Sequence, residues 1–360
     1  MKKTILSLLV AVGLVGSSPA QERAIDDIMH RSIKAGEVVP GAQVLVAKNG
    51  RVIFTGSYGF ADVEHKTPFN SESVFDLASC SKQFTAVAVL MLVDQGKIGL
   101  HEPIQKYLPE IQPNNGKKIE VRDLLHMTAG FHHYFNWFGN HEKATNEDVA
   151  KKASNKQYKF PVGEKYDYSN TAYALLALLV QRVSGEPFSQ FMSSEIFKPL
   201  GMNHTLVLDN PPMEIPNRAQ GYAMKQKEFK PVRDDTRVVG DGQVFTTAQD
   251  LVLWDKGLRE GKLLRAETLN HAYIPGKLKD GKKTKYGMGY EISQEFGKKW
   301  VFHGGAWTGT STYISRCLDD GLLVVILSNI EKFDVMGIGA KIERLYEGGG
   351  TGRHKKNHNN

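Results

Sequence analysis

The sequence predicts an α+β fold, an antiparallel sheet flanked by helices with an all-helical lobe inserted into it. Three observations carry this. Strand signals occur near both ends of the chain, at residues 43–57 and again from about Gly287. Residues 100–260 lack convincing strand alternation and contain helical pieces instead. The 360 residues exceed what one core usually serves, so two lobes with a cleft between them are expected.

The elements follow in order. Residues 1–20 read as a secretory signal: Lys2 and Lys3 form the charged start, Ile5 to Val15 the apolar core, and Ser18-Pro19-Ala20 the small residues at a cleavage position. The apolar stretch is too short to span a bilayer, and no later stretch does better. An exported protein, periplasmic or secreted, is expected, with no stable membrane span. Gln43 to Ala47 and Val52 to Ser57 flank Asn49-Gly50, a strong hairpin signal. A helix apolar nearly all round runs from about Ser79 to Gln95 and stops at Gly96, which describes a buried element. Helical pieces follow at Val121 to His126, Asn146 to Ala153, Thr171 to Val183, Pro187 to Phe197 and Ala248 to Leu258. Strands return at Met288 to Ser293, Trp300 to His303, Thr310 to Cys317 and Leu322 to Leu327, the last two joined through Asp319-Asp320-Gly321. A helix over Asp334 to Tyr346 closes the fold, ahead of a glycine-rich basic tail expected to be disordered. The division is a signal at 1–20, a sheet lobe from 21–100 plus 262–346, a helical lobe at 101–261 and a tail at 347–360.

The formal charge of +7 falls to +5 without Lys2 and Lys3. Arg353, Lys355 and Lys356 in the tail account for three more positive charges, leaving the body close to neutral. No basic block or zinc-finger spacing supports nucleic-acid binding. Cys80 and Cys317 allow one disulfide, with two buried thiols as the alternative.

The chemistry centres on Ser79-Cys80-Ser81-Lys82 at the head of the buried helix. No other serine has a lysine three positions on. On a helix that spacing puts hydroxyl and amine on one face. A serine needs a base to become a nucleophile, and a buried lysine with a lowered pKa can be that base. Standing alone, the pair also fits a helix cap followed by an exposed first-turn lysine. Tyr168-Ser169-Asn170 precedes an apolar helix. There Tyr168 can serve as acid or base, and Asn170 can orient Lys82 and donate to a substrate carbonyl. Tyr134-Phe135-Asn136 matches the same pattern and is set aside because no apolar helix follows it directly. His303-Gly304-Gly305-Ala306 ends a strand, where glycines admit a ligand close to the backbone and N–H groups can form an oxyanion hole.

These three motifs, in this order, resemble the serine β-lactamase and penicillin-binding protein superfamily. The likeness is strongest to class C β-lactamases and the related esterases, D-aminopeptidases and D-alanyl-D-alanine carboxypeptidases. It extends to Phe75-Asp76-Leu77-Ala78, to Leu124 through Gly130, to Pro199-Leu200-Gly201-Met202 and to Gly240 through Ala248 with Asp250-Leu251. The resemblance implies Ser79 as acylated nucleophile, Lys82 as its proton acceptor or relay, Tyr168 as the base that activates the serine or the deacylating water, and Asn170 as a substrate-amide contact that also orients the lysine. It implies His303 and Gly305 as the third motif, and the N–H groups of Ser79 and Ala306 as the oxyanion hole. It implies no metal or cofactor, and a small-molecule or peptide substrate: an ester, a D-amino-acid peptide or amide, or a β-lactam. Two departures stand out. His-Gly-Gly replaces the usual Lys-Thr-Gly, exchanging a permanent cation for a group that titrates near neutrality. This favours ester or amide substrates over penicillins and predicts anchoring of a substrate carboxylate that strengthens as pH falls. Met127 and Ala129 depart from the usual His-Thr-Ser-Gly form, and His126 is read as structural.

Two other classes are weighed. A sensor would use the same cleft, acylate slowly and not turn over. A zinc hydrolase is suggested by His132-His133, but no metal-binding histidine motif accompanies the pair. An α/β-hydrolase is disfavoured by the absence of Gly-x-Ser-x-Gly. The oligomeric state is not legible.

Overall fold

The computed structural model describes residues 16–138, 143–211, 213–234 and 236–347. Most of the segment read as a signal and nearly all of the tail lie outside them. The architecture is α+β. A six-stranded antiparallel sheet is built from β1 (Ala42–Lys48), β2 (Arg51–Tyr58), β3 (Glu291–Glu295), β4 (Lys298–Trp307), β5 (Thr310–Cys317) and β6 (Leu322–Ser328). Its order is β3-β4-β5-β6-β1-β2, so β1 from the start of the chain pairs with β6 from its end, Val44 opposite Ile326.

Strand periodicity explains the layers. Val44, Val46, Val324 and Ile326 point to one face and pack with Ile25, Met29, Ile338 and Ile342. These come from α1 (Pro19–His30) and the C-terminal helix α6 (Val335–Tyr346). Leu45, Ala47, Leu323 and Val325 point to the other face and join the main core. That core holds α2 (Lys82–Asp94), buried without a break from Lys82 to Leu92. It also holds α4 (Asn170–Ser184), buried from Thr171 to Val180 and stopped by Gly185 at φ 81°. The smaller α3 (Asn146–Ala153) packs on α4.

The structure adjusts three expectations. Helix α5 (Ala248–Arg259) lies within the segment read as helical lobe, yet it packs against β1 and β6 of the sheet. The insert also carries short strands. Gly221–Lys225 and Glu228–Val232 form a hairpin, and Val244–Thr246 pairs with Phe75–Asp76 and Leu206–Val207. The hairpin turn uses Gln226 and Lys227, both at positive φ, where the usual Asn-Gly or Asp-Gly signal is missing. Helix α1 begins at Pro19 with Ser18 as its cap, so this first helix starts inside the segment read as signal.

Beyond the pair Glu291↔Phe302, β4 runs on without β3 beside it. Residues 303–307 therefore have no β3 residue beside them and lie next to the turn before α2.

Candidate active site

The segment before α2 is a single 3-10 turn over Ala78–Ser81 rather than the first turn of an α-helix. In that geometry positions i and i+3 eclipse. Lys82 Nζ accordingly donates to Ser79 Oγ at 3.2 Å. The turn is entered through Ala78 at φ 47°, a left-handed conformation costly for a residue with a Cβ. Fixed bonds hold it there. Asp76 Oδ1 accepts from the Ala78 N–H at 2.8 Å, and the Thr312 hydroxyl of β5 donates to the Leu77 carbonyl at 2.7 Å. The Cys80 thiol donates to the His303 carbonyl of β4.

Gly305 has a steric reason. A Cβ there would overlap the Leu77 carbonyl and the Thr312 hydroxyl. Only glycine lets β4 approach the nucleophile turn this closely. The next residue, Ala306, lines the same pocket as Ser79, and Asn170 lies on that pocket's wall.

Lys82 is fully buried, and burial pushes its pKa down while the Asp241 carboxylate opposes the shift. Its second bond runs to the Asp241 backbone carbonyl at 2.6 Å. The lysine-orienting role read onto Asn170 thus falls to Asp241, and Asn170 Oδ1 has no partner. Tyr168 is half-buried, and the Lys82 ammonium lies 5.0 Å from its ring centroid. Burial raises the Tyr168 pKa, and a hydrogen bond with Ser79 opposes that rise. Ser79, Lys82 and Tyr168 therefore meet.

His303 does not reach the pocket. It is 2% exposed, with Nδ1 2.7 Å from the Gly304 carbonyl and Nε2 3.0 Å from the Tyr286 hydroxyl. The carbonyl can only accept, so Nδ1 carries the proton and Nε2 accepts from Tyr286. Burial, reinforced by the Lys82 charge, lowers its pKa to about 3. The expectation that His303 titrates near neutrality and anchors a carboxylate is corrected: it is a neutral, buried support of the strand end.

Two residues were missed by the sequence reading. Asp241 lines the pocket, and Tyr134, set aside as a mere look-alike, lines it too and donates to Asp241 Oδ2 at 3.2 Å. Tyr134 carried only the pattern it shares with Tyr168, and Asp241 lies in the Gly240–Ala248 segment with no role read onto it. Their meeting joins positions 107 apart in the sequence. Cys80 and Cys317 are buried free thiols. Among the described residues, Cys317, Asp320 and Glu347 lie close enough to share an ion. Both carboxylates already take the Lys298 ammonium, so an internal cation satisfies them.

The β-lactamase family model matches residues 22–345. The chain belongs to the β-lactamase family. Within it, the chain is 32% identical to penicillin-binding protein 4* of Bacillus subtilis (strain 168), over 80% of this chain and 68% of that relative. It is similar in structure to the octameric penicillin-binding protein homologue from Pyrococcus abyssi, with TM-score 0.79 and 25% identity, covering 91% of this chain and 76% of that one. The D-amino acid amidase from Ochrobactrum anthropi SV3 shares the fold at TM-score 0.75 and 24% identity, over 91% of this chain and 98% of that one.

Proposed function

We propose that this family member is a serine hydrolase that works through an acyl-enzyme on Ser79. The observation that carries the reading is the 3.2 Å contact between Ser79 Oγ and the ammonium of a fully buried lysine. Burial favours neutral Lys82, the form able to take the serine proton. Ser79 Oγ then bonds to the substrate carbonyl carbon, and the carbonyl oxygen becomes an oxyanion. Ser79 and Ala306 line the pocket from the nucleophile turn and from β4, and their N–H groups are the donors assigned to that oxyanion. Tyr168, adjoining both Ser79 and Lys82, passes the proton to the leaving group and later takes one from the deacylating water. Asn170 contacts the substrate from the pocket wall.

Esters and amides are favoured over penicillins. Neutral, buried His303 supplies no cation for a β-lactam carboxylate, and no lysine or arginine lines the pocket among the described residues. Intact-mass analysis after a fluorophosphonate probe, followed by peptide mapping, tests the mechanism. One label on Ser79, lost in Ser79→Ala, is expected. A label on another serine refutes it, and a burst of product without turnover would mark a sensor.

A further inference from the structure

Three residues lining the pocket beside Ser79 each carry one acceptor oxygen without a hydrogen-bond partner. Asp241 is 7% exposed; its Oδ2 takes the Tyr134 hydroxyl, and its Oδ1 has no partner. Gln243 is 2% exposed, and its Oε1 is equally unpaired. Asn170 Oδ1 is the third. All three residues line the one pocket. A carboxylate and two amide oxygens can only accept. Buried polar groups are nearly always satisfied, so three orphans in one place call for a donor-rich guest.

The remaining wall suits a cation. Phe135 and Trp307 line the pocket with their rings stacked, centroids 4.9 Å apart, and Tyr134 stands 4.4 Å from Phe135. Aromatic faces attract ammonium groups. The nearest internal cation does not fill the place, because Lys82 Nζ points to Ser79 Oγ and to the Asp241 backbone carbonyl, not to the Asp241 carboxylate.

We propose that this pocket holds a protonated amine on the acyl part of the substrate, with Asp241 as the residue that recognises it. The proposal rests on the acyl-Ser79 reading for the word substrate, but not for the binding itself. Spacing limits the amine's place. A single ammonium, that of Lys82, reaches both Ser79 Oγ and the backbone of Asp241. Because Ser79 and Asp241 line the same small pocket, the substrate amine is placed near the scissile carbonyl, as in an amino-acid amide or ester. Its arrival also aids the chemistry. A second positive charge beside Asp241 takes up the carboxylate's attraction and further disfavours the protonated form of Lys82.

The test uses the Ser79→Ala protein, which binds without turnover. Titration calorimetry at pH 7 compares D-alaninamide and L-alaninamide with isobutyramide, in which a methyl replaces the ammonium. A charge-assisted bond to a buried carboxylate predicts that one alaninamide binds about ten- to a hundredfold more tightly than isobutyramide. Adding Asp241→Asn should bring that ratio below about threefold. Equal affinities, no binding of either alaninamide, or a preference that survives Asp241→Asn would overturn the proposal. The comparison of ligands on the Ser79→Ala protein decides even if the Asp241 variant does not fold. Fluorophosphonate labelling of the wild type separates the two claims. A labelled Ser79 without ammonium preference sinks the recognition proposal alone. Ammonium preference without a labelled serine sinks the acyl-enzyme alone.

Discussion

Lys82 is the residue on which the proposed chemistry turns. An exposed lysine is protonated at neutral pH and cannot take a proton from serine. Here burial lowers its pKa, and the neutral base is populated at lower pH than on the surface. The neutral form grows as pH rises, so kcat/KM for a neutral ester should climb through the Lys82 pKa and reach half its plateau well below the pH at which an exposed lysine titrates. Tyr168 adjoins both Lys82 and Ser79, which makes the two bases one proton-transfer unit. Lys82→Ala and Tyr168→Phe should each lower kcat by about two to four orders of magnitude. The double variant should lose far less than the product of the two, and steady-state kinetics showing multiplicative losses would separate them. The sequence made Ser79 and Lys82 legible because their contact is local, three positions apart. The role of Asp241 was not legible, although its segment was noticed, because its contact with Lys82 joins positions 159 apart. His303 was misread for a related reason. Its residue type suggested a titrating group, but burial and the nearby Lys82 charge hold it neutral, and only the folded chain supplies both.

Among the elements, the 3-10 turn and strand β4 form one device. The turn holds Ala78 in a left-handed conformation, and Gly305 lets the strand press against it. Gly305→Ala should force the two apart. Displacement of a reacting group by about 1 Å costs on the order of a hundredfold in rate. Steady-state kinetics should therefore show kcat/KM falling by about that factor for every substrate, and full activity in a folded Gly305→Ala protein would show that the close approach is dispensable. Strands with clean signals, such as Thr310–Cys317, stand where the sequence put them. Strand β4 runs on to Trp307, four residues past the expected end, because Gly304 and Gly305 have weak strand preference and their pairing with β5 overrides it. The Gly221–Val232 hairpin escaped notice because its turn residues are Gln226 and Lys227.

On the scale of the whole molecule, the sheet assembled from both chain ends was readable, because strand alternation is strong at both. The lobe boundary was less so, since α5 has an ordinary amphipathic pattern that says nothing about which neighbour it packs on. The joint between insert and sheet depends on Asn329. Its side chain accepts from the Gly41 N–H at 2.7 Å and donates to the carbonyls of Phe60, Ala61 and Gln220. Asn329→Leu strips partners from buried backbone groups in three segments at once. It should cost about 2–4 kcal/mol. Thermal unfolding should show a Tm lower by several degrees, and an unchanged Tm would mean that the joint is held by packing alone.

The pairing of β1 with β6 also dictates a timetable. Residues 42–48 emerge early from the ribosome, but the strand that flanks them on one side ends at Ser328. Until almost the entire polypeptide has been synthesised, β1 has only the β2 hairpin for company, and a lone two-stranded hairpin is marginal in water. Helix α1 waits as well, since its partner α6 comes later still. Through nearly all of translation the nascent chain is thus kept from its final sheet by its own topology.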